Sequence, residues 1–206
     1  EHNIWLGTDY GISLSRYNSA LQFIPISQIT GTGDGNQFYS LFRDSKGFYW
    51  FGGANGLIRF TDPAGERHDA IWYRMGDKTY PLSHNRIRHI YEDKEQQLWI
   101  ATDGSINRYD YATRQFIHYN IVDNTGTYNT NWTYYIFEDT AGQLWISTCL
   151  GGIFVVDKRK LMQSTSGQYI AEQNYSVHNG LSGMFINQII PDNEGNVWVL
   201  LYNSKG

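Results

Sequence analysis

The chain has 206 residues, a formal net charge of −4, 16% aromatic residues, 21 glycines and four prolines. This is the composition of a globular chain long enough to bury a sizeable core, and it excludes a disordered one. Acidic residues slightly outnumber basic ones and no basic stripe is present, which argues against nucleic acid as a partner; no apolar run reaches membrane-span length.

In chain order, residues 3–8, 11–17 and 21–26 read as the second, third and outer strands of a first unit. Gly31 to Gly35 resembles a phosphate loop only faintly, since no Lys-Ser/Thr and no helix follow, and reads as a connector. Strands are then expected near 38–43, 48–54, 56–61 and 69–75. The next set falls near 87–92, 97–102, 105–110 and 114–121. A third falls near 132–138, 143–148, 152–157 and 169–177, and a final pair near 186–190 and 196–201. Asp157 to Met162 opens a longer connection with one helical turn, and its basic residues read as a solvated face.

One phrase recurs through these units. Asp139-Thr140-Ala141-Gly142-Gln143-Leu144-Trp145-Ile146-Ser147 is an aspartate, a tight turn and a strand rich in β-formers. Copies start at Asp44, Asp93 and Asp192, and a half copy stands at Ile4 to Thr8. The marker residues Trp5, Trp50, Trp99, Trp145 and Trp198 are 45, 49, 46 and 53 residues apart. That period, carried by short strands, predicts an all-β fold: a β-propeller segment of four-stranded antiparallel blades. Three whole blades (about 36–80, 84–125 and 130–180) lie between partial ones (1–30 and 184–206) in a single partial propeller domain. The ends supply a surplus second strand, so the chain is expected to be a piece of a larger ring, or to associate as a homodimer.

Within each second strand, the residue two beyond Trp is Gly7, Gly52, Ala101 or Ser147. Side chains alternate along a strand, so these small residues share a face with the tryptophan and leave room for the next blade. The tryptophans then fill the space between blades. Leu200 and Leu201 break this rule in the last unit. Gln96 stands where the other turns have Gly, and strains that turn or changes its type.

The phrase resembles the two-component regulator propeller repeat, best at Asp44 to Leu57 and Asp139 to Ile153. Asn179-Gly180-Leu181-Ser182-Gly183 resembles that family's connector before a first strand. The resemblance spans essentially the whole chain. It implies the periplasmic sensor region of a hybrid two-component system of Bacteroides type, in which a histidine kinase part elsewhere in the parent answers to glycan fragments. The motif is one of folding and transfers no ligand contacts.

No catalytic or metal-binding spacing is present, and neither a catalytic residue, a metal nor a cofactor is expected. Cys149 has no second cysteine to pair with and reads as a small, partly buried filler beside a turn. His84 and His89, with Arg86 and Arg88 beside them, are the nearest approach to an acid–base or anion site. Two Asn-x-Ser/Thr sequons begin at Asn131 and Asn174; such short patterns are common by chance.

Comparison of the copies is more informative. The second and third positions before each turn Asp are apolar throughout. The fourth and fifth vary: Ser40/Tyr39, His89/Arg88, Tyr135/Tyr134 and Gln188/Asn187. The connector before them also varies: Gln37, Arg86, Trp132 and Phe185. A patch that changes while the frame stays fixed, on the innermost strand of each blade, points to a ligand site at the channel mouth. Arg86, Arg88, His89 and Asn187 are candidate polar contacts, and Trp132, Tyr134 and Tyr135 candidate stacking surfaces for an oligosaccharide. The rival readings are a protein-interaction scaffold, and a propeller lyase or glycoside hydrolase, which needs paired carboxylates at one mouth.

Overall fold

A computed structural model describes residues 4–8, 11–15, 22–25, 37–61, 69–79, 81–165 and 167–202. The connector at Gly31 to Gly35 lies outside them. Strands β1 (Ile4–Thr8), β2 (Gly11–Ser15) and β3 (Gln22–Pro25) form one antiparallel sheet. Strands β4 (Phe38–Arg43), β5 (Tyr49–Gly53), β6 (Gly56–Phe60) and β7 (Ile71–Tyr73) form the next, in sequence order. Strands β8 (Ile87–Glu92), β9 (Leu98–Thr102), β10 (Ser105–Asp110) and β11 (Gln115–Tyr119) repeat it.

The third whole sheet departs from the predicted pattern. After β11 the chain makes a short β12 (Ile121–Val122), then β13 (Thr133–Glu138), β14 (Gln143–Thr148), β15 (Ile153–Asp157) and the helix α1 (Lys158–Gln163). It continues through β16 (Tyr169–Ile170) to β17 (Gln173–Tyr175), the outer strand. β12 and β16 pair in parallel and tie the second whole sheet to the third. Each expected outer strand, 114–121 and 169–177, is therefore broken in two. The break lets Ile121, Leu161 and Ala171 bury in the core between the two sheets. A last pair, β18 (Ile186–Pro191) and β19 (Val197–Leu201), closes the described chain. No helix among the described residues is long and apolar enough to cross a membrane.

The turn aspartate organises each repeat. Oδ1 of Asp139 accepts the N–H groups of Ala141 and Gln143, and Oδ2 accepts the indole N–H of Trp145 at 2.9 Å. Asp44, Asp93 and Asp192 do the same for Trp50, Trp99 and Trp198. The constant six-residue step from Asp to Trp thus fixes both the turn and the ring beyond it. Gly47 and Gly142 close two of these turns with φ of 90° and 79°. Gln96 makes the same turn at φ 61°, so the turn type is kept and the backbone carries the strain. Replacing Gln96 by Gly is expected to stabilise the chain by about 1 kcal/mol, read from urea unfolding.

Blades pack as the small residues predict. A Cβ built on Gly52 lies 2.4 Å from Ile87 Cγ2, and one on Gly7 lies 2.6 Å from Leu41 Cδ1. Trp50 and Trp99 are fully buried between sheets. Trp198 is not: it is 67% exposed, and Leu200 and Ile190 on the same outermost pair are 53% and 47% exposed.

A second set of bonds joins neighbouring blades. The residue after the terminal Asp of β10 and of β15 reaches back to the turn aspartate of the preceding blade. Tyr111 donates to Asp44 Oδ2 at 2.7 Å, and Lys158 sits 3.1 Å from Asp93 Oδ2. Glu92 accepts the Ser45 N–H, and Glu138 the Lys94 N–H. Lys158 also pairs with Glu138 at 2.6 Å and with Glu95. This corrects the solvated reading at Lys158, which is 3% exposed, while Arg159 and Lys160 beside it do face solvent. Asp157 caps α1 by accepting the Lys160 N–H, and that cap turns the Lys158 side chain toward the preceding blade.

Candidate functional site

The four innermost strands, β4, β8, β13 and β18, stand side by side. Each carries a β-bulge at the same place. Pairing slips between Phe38 and Ser40, Ile87 and His89, Thr133 and Tyr135, and Ile186 and Gln188. The extra residues are Tyr39, Arg88, Tyr134 and Asn187, the fifth residue before each turn Asp. A bulge bends its strand and re-aims a side chain, and is frequent beside functional sites. Here four bulges in register present two tyrosines, an arginine and an asparagine along one wall.

These residues line a cavity of about 310 Å³ with His89, Tyr135 and Gln188. The structure thus brings together five predicted residues: Arg88, His89, Tyr134, Tyr135 and Asn187. It adds Tyr39 and Gln188, which the same internal comparison marks as variable. Arg86 lies beside the group, 3.9 Å from Asp103 and 45% exposed. Trp132 lies apart and lines a different cavity, because its backbone leaves the strand direction before β13 begins.

Arg88 is the charge of the cavity. It forks onto Asp103, with Nε at 2.7 Å and one terminal nitrogen at 3.2 Å, and lies 4.5 Å over the Tyr134 ring. Burial works against its charge, but the Asp103 bond and charge outweigh it and hold the guanidinium above its ordinary value. Burial also raises the Tyr134 phenol, which stays protonated.

His89 plays a different part. Its ring stacks on Tyr135, with centroids 3.9 Å apart, and its Nδ1 accepts the Ile136 N–H of the next innermost strand at 3.3 Å. Ser40 does the same one blade earlier, accepting the Ile90 N–H. Burial lowers the His89 imidazole to about 4, so it is neutral at physiological pH. His84 bonds the Arg86 N–H of its own loop instead, so the two histidines face separate partners. Cys149 is buried, and burial pushes its thiol up, which fits a filler and not a nucleophile.

The oxygens of Asp93, Glu95 and Glu138 come together as a metal site would require. The Lys158 ammonium sits among them, pairs with all three and takes the place a cation would hold. The turn aspartates are equally engaged by their N–H and indole donors. A carboxylate pair free for hydrolysis does not line the described cavity.

A family model described as "Two component regulator propeller" matches residues 32–55 and 81–104. No curated protein sequence matches the chain. Among solved structures, the extracellular domain of the hybrid two component system BT4673 from B. thetaiotaomicron is 99% identical, with a TM-score of 0.88; the match covers 100% of this chain and 28% of that one. The extracellular domain of BT3049 from the same organism is 20% identical, with a TM-score of 0.69, covering 98% and 24%. Virginiamycin B lyase from Staphylococcus aureus is 15% identical, with a TM-score of 0.62, covering 96% and 59%. The last two share the fold alone. The repeats, their turn-to-tryptophan phrase, the family model and the 99% identical domain agree: the chain carries two-component regulator propeller repeats.

Proposed function

We propose that this segment is part of the periplasmic sensing region of a hybrid two-component system, and that its bulge row contacts a carbohydrate ligand. The observation that carries this reading is the register of the four bulges. A folding frame repeated four times puts Tyr39, Arg88, Tyr134 and Asn187 on one wall, so that aromatic, cationic and amide side chains face a single cavity. Tyr134 and Tyr135 offer ring faces to a sugar, while Arg88, Asn187 and Gln188 offer donors and acceptors for its hydroxyls.

The segment has no catalytic role in this reading. Its carboxylates serve turns and blade contacts, which weighs against the lyase and glycosidase alternative. Ligand binding shifts the packing between blades, or between two copies of the sensor. The remaining blades and the kinase part of the parent chain receive that shift.

Titration of oligosaccharides into the complete extracellular domain tests this, with Arg88→Ala and Tyr134→Ala beside the parent. Affinity should fall about tenfold or more in each variant. It should be level between pH 5 and 8, because His89 is neutral across that range and Arg88 stays charged. Unchanged affinity in both variants rejects the row as the site.

A further inference from the structure

Two further cavities lie over the third whole sheet and meet at Thr127 and Tyr128. One is about 330 Å³ and is walled by Trp132, Leu150 and Asn131; the other is about 550 Å³ and is walled by Asn124, Gln173 and His178 among others. Neither shares a residue with the bulge-row cavity. We propose that together they form a second binding groove, for an uncharged oligosaccharide, with Trp132 as the stacking platform.

The groove's charge balance defines the ligand class. No Lys or Arg appears among the described residues that line it. Its two carboxylates are engaged elsewhere. Asp123 is buried and accepts from the Tyr128 N–H and the Thr125 hydroxyl; Glu172 accepts from the Tyr169 hydroxyl and the Asp157 N–H. Exposed beside Glu172 and His178 are the amides of Asn124, Asn131 and Gln173, and the Thr127 hydroxyl, which accepts from Thr125 and keeps its own proton to donate. Amides both donate and accept, as the paired hydroxyls of a sugar do. An anionic ligand meets no cation there.

Trp132 has the marks of a platform rather than of core. It is 48% exposed, next to Leu150 at 66%. Its φ is 54°, a left-handed backbone that a bulky side chain rarely adopts. Both of its backbone groups are tied: its N–H donates to the Asp103 carbonyl at 3.1 Å, and its carbonyl accepts the Cys149 N–H at 2.9 Å. A strained residue held this firmly, with its ring turned to solvent, fits a ligand contact. A rigid ring also loses little freedom when a sugar stacks on it.

The test uses saturation-transfer NMR on the complete extracellular domain. The probes are cellotetraose, xylotetraose, mannotetraose and galactotetraose, with trigalacturonic acid as the charged control. At least one neutral probe should bind, with transfer to its ring protons, and trigalacturonic acid should not compete. Trp132→Gly should weaken that binding about tenfold or more while leaving the melting temperature unchanged or higher, since Gly accepts the left-handed backbone. Trp132→Phe should keep most of the affinity. The same comparison in the Arg88→Ala background separates this groove from the bulge row: a Trp132 effect that persists there belongs to the groove. Absence of binding by every neutral probe, binding untouched by Trp132→Gly, or a melting temperature that falls with Trp132→Gly overturns the proposal.

Discussion

Replacing Lys158 by Met is expected to destabilise the chain by about 3–5 kcal/mol, the cost of stranding buried charges. The Lys158 side chain is 4% exposed, and those of its partners Asp93 and Glu138 are 0% and 1% exposed. The ammonium is held above its ordinary value: burial opposes its charge, and the Glu138, Glu95 and Asp93 carboxylates outweigh that. Methionine fills the space but leaves like charges facing one another across two blades. The backbone N–H donors that remain to Asp93 and Glu138 offset only part of this.

The loss should depend on pH with a definite sign. In the variant, the facing carboxylates bind protons more readily folded than unfolded, so stability falls as pH rises. The deficit against the parent is therefore larger at pH 8 than at pH 5. Glu138→Gln added to Lys158→Met should recover part of it. Urea unfolding at the two pH values checks this, and an equal deficit at both shows that lost packing, not charge, is the cause.

Gly52→Ala should be the other costly change. Its Cβ would fall 2.4 Å from Ile87 Cγ2 and 2.8 Å from Ile87 Cβ, in a contact where both strands are buried. Overpacking of this kind costs about 1–3 kcal/mol. Ile87→Ala alone leaves a cavity and costs about 2–5 kcal/mol. In the double variant the new methyl enters the space that Ile87 vacates, so the two losses should fall short of their sum by about 1 kcal/mol or more. Strict additivity would mean that the blades separate without regard to this contact. In the next sheet Ala101 holds the corresponding place, so the demand for a small residue there is graded.

The sequence makes the repeat, the strands and the small-residue rule legible because each is local or periodic. The Asp-to-Trp step was equally open to view, and it encodes the indole bond that ties turn to core. Tyr39 and Gln188 stood in the same variable columns as Arg88 and His89, so the row could be read by comparing the copies with one another. The bulges could not. A bulge is a slip between two strands, and only their pairing reveals that Arg88 and Tyr134 are the extra residues. The burial of Lys158 is hidden for a similar reason: its partners lie 20 and more residues away, and a basic run beside a helix resembles a solvent face. Trp132 holds the variable connector place that Gln37, Arg86 and Phe185 hold in the other copies, but with its left-handed backbone it lines a separate groove. The split outer strands reflect Ile121 and Ala171 burying between sheets, a tertiary gain that strand periodicity does not record.

The measurement that bears most directly on the sensing account is a calorimetric titration of the complete extracellular domain with a neutral and acidic oligosaccharide panel, repeated with Arg88→Ala and Tyr134→Ala. The account predicts saturable binding by at least one sugar, weakened about tenfold or more by each substitution, with both variants folded as the parent. Saturable binding that neither substitution alters, or no binding by any sugar, contradicts it.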